Sequence, residues 1–254
     1  MVEVDICHFF DTIDHERLID YVAEEVADGR VLELIHRFLK TKVSEDYTLV
    51  DVICGTPQGG VISPLLANVY LHEFDVKMRQ SGYRVTRFAD DIVIVCRTKR
   101  EARLALGRTR QILEGELGLK LHSKKTRIVH ILQGFEFLGY LVKRGSRGTL
   151  FVLPSDESVK RFRDKVRRIT QRKNPLKLCE VIVELNPVLR GWGNYYRRAN
   201  VKRLFHRFDG WIQRRIWSFK AKRWRNTLWR VYPAKVLYGK MGLVNMFRLI
   251  PVCA

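Results

Sequence analysis

Two adjacent aspartates, Asp90 and Asp91, stand between a strand-like segment at residues 85–88 and an apolar, β-branched run at 92–96. Runs of this length and composition form strands, and the short polar break between them makes the pair a hairpin turn. Carboxylates at a strand-connecting turn can hold a divalent metal against a phosphate, because Mg²⁺ takes one or two carboxylates together with phosphate oxygens. A third aspartate, Asp5, lies inside another strand-like segment, Val2-Glu3-Val4-Asp5-Ile6. A charge within an apolar strand is costly unless it is paired or metal-bound. Two strands delivering carboxylates to one point is the arrangement that two-metal phosphoryl transfer requires. The bland alternative for the pair alone is a solvated turn or helix cap.

The rest of the first part mixes helices with a largely antiparallel sheet. The pattern predicts a strand over 2–10 and a helix capped at Asp14 running through Tyr21, Val22 and Val26. A helix over 31–39 is predicted next, with Leu32, Ile35 and Leu39 at helical spacing, then a strand over 47–53. Gly55-Thr56-Pro57-Gln58-Gly59-Gly60 breaks both regular structures and reads as a loop. Ser63 caps, and Pro64 opens, a helix expected to reach about Arg79. A helix over 100–117 and short strands over 120–121, 127–131 and 137–142 complete an α+β domain. Near Pro154 the pattern changes to amphipathic helices, the clearest over 158–172 with Val159, Phe162, Val166 and Ile169 on one face. Asn174-Pro175 and Asn186-Pro187 are expected to mark helix starts. The expected division is therefore 1–153, mixed, and 154–254, all helical.

Charge follows the same division. Residues 1–150 hold 22 basic and 21 acidic side chains, whereas 151–254 hold 25 and 6. The second part is an electrostatic footprint for a polyanion. All five tryptophans (Trp192, Trp211, Trp217, Trp224, Trp229) lie there among Arg and Lys. A helical core with a merely solvated basic face is the alternative. The five scattered cysteines have no zinc-ligand spacing, so buried free thiols in a reducing compartment are expected. No run approaches the ~18 apolar residues of a membrane span and the N-terminus shows no signal-peptide layout. The expectation is a cytoplasmic protein of bacterial source, with an organellar source left open.

The order of motifs resembles the reverse transcriptases encoded by group II introns. Asp5-Ile6-Cys7-His8-Phe9-Phe10-Asp11-Thr12-Ile13-Asp14-His15 is similar to the family's first catalytic palm motif. The loop at Gly55 continuing into Val61-Ile62-Ser63-Pro64-Leu65-Leu66-Ala67-Asn68 is similar to its template- and nucleotide-handling motif. Phe88-Ala89-Asp90-Asp91 resembles the catalytic turn, with Phe where Tyr is commoner. Leu117-Gly118-Leu119-Lys120-Leu121 with Lys124-Lys125-Thr126, and Phe135-Glu136-Phe137-Leu138-Gly139-Tyr140, resemble the motifs that follow. Leu189-Arg190-Gly191-Trp192-Gly193-Asn194-Tyr195-Tyr196-Arg197 resembles the maturase signature. The likeness runs from residue 2 to about 235.

The resemblance implies a right-hand polymerase palm over 1–153 and a helical thumb and maturase domain over 154–254. It implies an RNA-directed DNA polymerase with a role in intron splicing, working on an RNA template, a DNA primer and deoxynucleoside triphosphates. Asp5, Asp90 and Asp91 would ligate two Mg²⁺ ions, and Lys125 would protonate the leaving pyrophosphate. Phe10 would stack under the nucleotide sugar, the alternative being a core aromatic beside Phe9. Gln58 and Gly59 would meet the nucleotide or template. Arg190, Arg197 and Arg198 would contact intron RNA, whereas Trp192, Tyr195 and Tyr196 fit an aromatic core better. Three departures stand out: the catalytic strand begins at residue 2 where the family has a fingers region first, Cys7-His8 replaces the usual Lys and small residue, and no endonuclease tail follows. The expectation is a truncated form that does not polymerise alone, its fingers lost or supplied by a partner chain or dimer. The rival expectations are an RNA-binding splicing cofactor without polymerase activity, a catalytically incompetent relic, and a non-mobile bacterial reverse transcriptase, which the maturase signature disfavours.

Overall fold

A computed structural model describes residues 1–40, 43–45, 48–50, 55, 60–222 and 228–251. The chain divides into two compact units, Met1–Ile131 and Leu132–Ala254. The structure is mixed α+β, as expected. The contact boundary precedes the change in composition at Pro154, and it assigns a small sheet to the second unit, which is therefore not helical throughout.

The first unit is built on a four-stranded antiparallel sheet. Its strands are β1 (Val2–Val4), β4 (Arg84–Phe88), β5 (Asp91–Val95) and β6 (Arg127–Ile128), in the order β4-β5-β1-β6. A separate pair, β2 (Val43–Glu45) and β3 (Thr48–Val50), lies within the same unit. β1 is much shorter than the predicted strand. The chain leaves it after Val4 and, beyond an isolated bridge from Ile6 to Leu121, turns into a helical turn, α1 (Phe9–Thr12). α2 (His15–Ala23) begins where its cap predicts, with Asp14 accepting from the Arg17 amide at 2.9 Å. α3 (Gly29–Leu39) follows, capped by Asp28.

The single helix expected from Ser63 is two, α4 (Ser63–Tyr70) and α5 (His72–Gln80), and Ser63 is the first helical residue rather than the cap. Leu71 separates them while staying fully buried, so one apolar stripe crosses the break. α6 (Lys99–Arg110) runs on into a π-helical stretch, Gln111–Glu116. These helices cover the sheet through Tyr70, Phe74, Met78, Ala105, Ile112 and Leu113, which pack with Val2, Ile92 and Ile94. Burying each large apolar side chain contributes about 1.5–3 kcal/mol.

In the second unit, β7 (Phe135–Phe137), β8 (Tyr140–Arg144) and β9 (Leu150–Pro154) form a three-stranded antiparallel sheet. The expected strand over 137–142 is in fact a hairpin: Leu138 (φ 50) and Gly139 (φ 75) form its two-residue turn, with both central residues at positive φ. Three helices follow, α7 (Asp156–Ile169), α8 (Leu178–Tyr196) and α9 (Lys202–Ala221). Asn186-Pro187 does not start a helix, because Pro187 lies inside α8. Asn186 is tied there instead, donating to Gly242 O and accepting from the Val244 amide at 2.9 Å each. The core is Phe162, Val166, Leu185, Leu189, Phe205, Phe208, Ile212 and their neighbours. Cys7, Cys96 and Cys179 are free thiols, as expected, but Cys7 and Cys96 are only half-buried and Cys179 is exposed. No helix among the described residues is long and apolar enough to cross a membrane.

Candidate active site and nucleic-acid interface

The register of β1 on β5 pairs Val2 with Ile94, Glu3 with Val93 and Val4 with Ile92. Continued by one residue, it sets Asp5 opposite Asp91. Asp90 joins them from the hairpin turn, whose closing pair is Phe88 with Asp91. The turn is held in a conformation unusual for its residues, since Ala89 has φ 52. A side chain in that left-handed region costs roughly 1–2 kcal/mol. Arg87 supplies the restraint. Its guanidinium chelates Asp75, at 3.0 Å from Nε and 2.6 Å from Nη2 to Oδ2, and its Nη1 donates to Ala89 O at 3.1 Å and to Asn68 Oδ1 at 2.9 Å. A buried ion pair on α5 thereby fixes the backbone of the aspartate turn. Neither partner was singled out by sequence reasoning; the available signal was a lone aspartate on the apolar face of α5.

Asp5 is pinned from its other side. Its amide and carbonyl both meet Thr126 Oγ1 at 3.3 Å, and its carbonyl also accepts from the His122 amide at 2.8 Å. The same turn delivers Lys125, whose Nζ stands 2.9 Å from Asp5 Oδ2. The Lys125 ammonium is thus the close charged neighbour of the otherwise unpartnered, buried Oδ2. Desolvation, then the like charges of Asp90 and Asp5, push the Asp91 carboxyl above the ordinary carboxylate range, against the opposing pull of Lys125. The contact with Asp5 raises the Lys125 ammonium above its ordinary value.

Among the described residues, no group of three or more His, Cys, Asp or Glu side chains converges as a closed metal site would. The donor set is nonetheless all oxygen. Its carboxylates repel one another, a feature that a hard cation relieves.

Phe10 lies in α1, half-buried against the core and edge-on to Phe9 with ring centroids 5.3 Å apart. The structure shows the packing beside Phe9, with the ring still partly exposed. Gly55 seats the start of the glycine-proline loop against this turn. It has φ 89, its amide donates to Ile13 O at 2.8 Å, and a Cβ there would come within 2.5 Å of Phe10 O. Buried His15 closes the joint through its ring contact with Gly55 O. Gln58 and Gly59 lie outside the described residues.

In the second unit Arg190, Arg197 and Arg198 are all exposed, and none has an acidic partner among the described residues. The aromatics beside them are structural. Trp192 stacks on Phe162 at 4.5 Å and donates from Nε1 to Ser158 Oγ at 3.1 Å. The Tyr196 hydroxyl lies 2.8 Å from Ser158 Oγ and 3.0 Å from Gly139 O. Tyr140 donates to Tyr195 O while Tyr195 donates to Leu138 O at 2.8 Å, a reciprocal clamp between α8 and the β7–β8 hairpin.

Comparison with known proteins agrees with this anatomy. The family described as "Reverse transcriptase (RNA-dependent DNA polymerase)" matches residues 1–142, and the "Group II intron, maturase-specific domain" matches 159–235. The chain is 31% identical to Protein YkfC of Escherichia coli over 182 residues, covering 58% of this chain and 48% of that protein. It is 26% identical to the Group II intron-encoded protein LtrA of Lactococcus lactis subsp. cremoris over 291 residues, covering 78% and 49%. The Putative COX1/OXI3 intron 2 protein of Saccharomyces cerevisiae is 24% identical over 200 residues, covering 56% and 23%. The chain thus spans about half the length of the first two relatives. With the polymerase family matched over more than half its length and the maturase-specific domain behind it, the chain belongs to the group II intron reverse transcriptase and maturase family.

Proposed function

We propose that this chain carries the catalytic palm and the thumb-maturase region of an RNA-directed DNA polymerase encoded by a mobile group II intron. The observation that carries the reading is the register that sets Asp5 opposite Asp91, with Asp90 in the adjoining turn. On this reading, residues 1–153 form the palm and 154–254 the thumb and maturase domain. Asp5, Asp90 and Asp91 would hold two Mg²⁺ ions, since Mg²⁺ is commonly bound through one or two carboxylates plus substrate phosphates. The ions would supply a lowered pKa for the primer 3′-hydroxyl and charge stabilisation for the triphosphate and the departing pyrophosphate.

The chain's own residues do the rest. Lys125, its pKa raised by Asp5, is protonated at neutral pH and holds on Nζ the proton that the leaving pyrophosphate takes. Phe10 offers its open side to the nucleotide sugar. Gln58 and Gly59 meet the nucleotide or template. Arg190, Arg197 and Arg198 neutralise phosphates of the intron RNA, which makes binding strongly salt-dependent.

A second reading, a splicing cofactor whose first unit is only a scaffold, is favoured by one observation: no three candidate ligands converge among the described residues. Primer extension separates the two. The wild type and the Asp90→Ala/Asp91→Ala variant are compared alone and fused behind the region that precedes the palm in a relative. Nucleotide incorporation by the wild type, lost in the variant while intron splicing persists, supports a catalytic palm. A fused wild type that splices but incorporates nothing supports the scaffold.

A further inference from the structure

Three elements of the second unit enclose a cavity of about 1030 Å³. Each contributes side chains at its own natural period: Phe151 and Leu153 from β9, Val159 and Arg163 from α7, Arg203 and Arg207 from α9. Lys143 sits directly across from Phe151 in the β8–β9 register, which puts a cation beside the ring. The lining combines these apolar side chains with five cations, Lys143, Arg163, Lys202, Arg203 and Arg207, against a single carboxylate, Asp156. Among the described residues, none of these five cations has an acidic partner within ion-pair distance.

Two features show that this charge is not ordinary surface decoration. The first is at α9, which starts with Lys202 and Arg203, has no acidic residue in its first turn, and has no side-chain cap at Val201. Cations at a helix N-terminus oppose the helix dipole and cost stability, so their placement serves an anion more than the fold. The neighbouring α7 follows the usual rule, with Ser155 as cap and Asp156 and Glu157 in its first turn. The second is Arg163. Its guanidinium carbon lies 5.5 Å from the Phe208 ring and 5.9 Å from that of Trp211, yet its buried Nε has no acceptor among the described residues. The two rings hold in place a guanidinium that lines the cavity and has no acidic partner among the described residues.

The aromatic wall is equally built. The Phe151 ring lies over Gly145, where a Cβ would come within 2.8 Å of Cε2. Gly145 therefore backs the ring, and Phe151 remains 36% exposed. A backed, partly open ring beside unpaired cations is the arrangement on which an unstacked base and its phosphates bind. Asp156 adds an acceptor able to take an exocyclic amine. An apolar acidic peptide would satisfy the cations but would leave the flat ring platform without a matching partner. Duplex RNA has no free base to offer it.

We propose that this cavity takes an unpaired nucleotide of a single-stranded RNA segment, its base on Phe151 and its flanking phosphates on Arg163, Arg203 and Arg207. The inference rests on the reading of the second unit as RNA-binding and specifies where a single strand is held and by which chemistry. Its test is fluorescence titration of the full chain with a short single-stranded RNA carrying 2-aminopurine, alongside a duplex of the same sequence. Quenching of 2-aminopurine is expected in the single strand. Phe151→Leu, which keeps the apolar wall, is expected to abolish the quenching and weaken single-strand binding about tenfold. Arg203→Ala with Arg207→Ala is expected to lower the salt slope by about 1.4, at ~0.7 for each phosphate released in a single strand. Thermal melts of each variant establish that the unit remains folded. If the wild type binds RNA and Phe151→Leu leaves single-strand affinity and quenching unchanged, or weakens duplex binding equally, the cavity is not a nucleotide site although the unit still binds RNA. If the wild type binds no RNA at all, the RNA-binding reading fails and this inference with it.

Discussion

The two hairpins β4–β5 and β7–β8 have the same construction and opposite character. Each turns through two residues, and each places a non-glycine at positive φ, Ala89 at 52° and Leu138 at 50°. The second turn is satisfied on every side: Gly139 follows, Tyr195 and Tyr196 donate to the turn carbonyls, and Tyr140 locks Tyr195 in return. The first turn carries Asp90 and Asp91, faces Asp5 across the continued β1–β5 register, and raises the Asp91 carboxyl, with the Lys125 ammonium as the countercharge on Asp5. A motif that only builds the fold settles its polar groups internally. On the proposed reading, the aspartate turn keeps like charges together for a cation and is restrained from behind by Arg87 and Asp75.

The contrast can be broken in order of expected effect. In the chain fused behind the region that precedes the palm in a relative, the form in which incorporation is read throughout, Asp91→Ala should reduce nucleotide incorporation by about a thousandfold, the several kcal/mol that metal-held charge supplies, with the melting temperature unchanged or higher. A large drop in melting temperature would make Asp91 structural. Asp75→Ala should destabilise the first unit by about 3 kcal/mol in urea unfolding, because it strands a buried guanidinium, and should loosen the aspartate turn. Tyr196→Phe removes a buried hydroxyl with two partners, Ser158 and Gly139, and should cost about 1–2 kcal/mol while leaving nucleotide incorporation untouched. Ala89→Gly and Leu138→Gly should each stabilise by up to about 1 kcal/mol through relief at positive φ. Only Ala89→Gly should also lower incorporation, since only that turn carries the carboxylates.

The smallest effect is a pH dependence. Asp91 binds its proton more tightly when folded, so its contribution to stability is present at low pH and is lost as pH rises from the ordinary carboxylate range through its raised value. Asp91→Asn should therefore melt higher than wild type above that window, and the difference should shrink below it. Equal differences at all pH values would show that the carboxylates do not crowd one another.

Much of the first hairpin was legible because the β5 run is apolar and short, and because Asp5 is anomalous within an apolar strand. The cap at Asp14 and the aromatic character of Trp192 and Tyr196 were legible for similar local reasons. What escaped depended on contacts between distant residues. Nothing local marks Asp75 as the partner of Arg87, or Leu71 as a break within a continuous apolar stripe. Asn186-Pro187 reads as a helix start, yet α8 passes through Pro187 because packing on both sides outweighs one lost hydrogen bond. Leu138-Gly139 was hidden inside an apolar run, since its turn is stabilised by tyrosines more than fifty residues away.

The most direct test of the carboxylate centre is a Mg²⁺ titration of the chain followed by ¹³C NMR of aspartate carboxyls. Asp5, Asp90 and Asp91 are expected to shift together and saturate, while the exposed Asp164, paired with Arg167, stays still. If those three move no more than Asp164, the aspartate turn is not a metal-binding site.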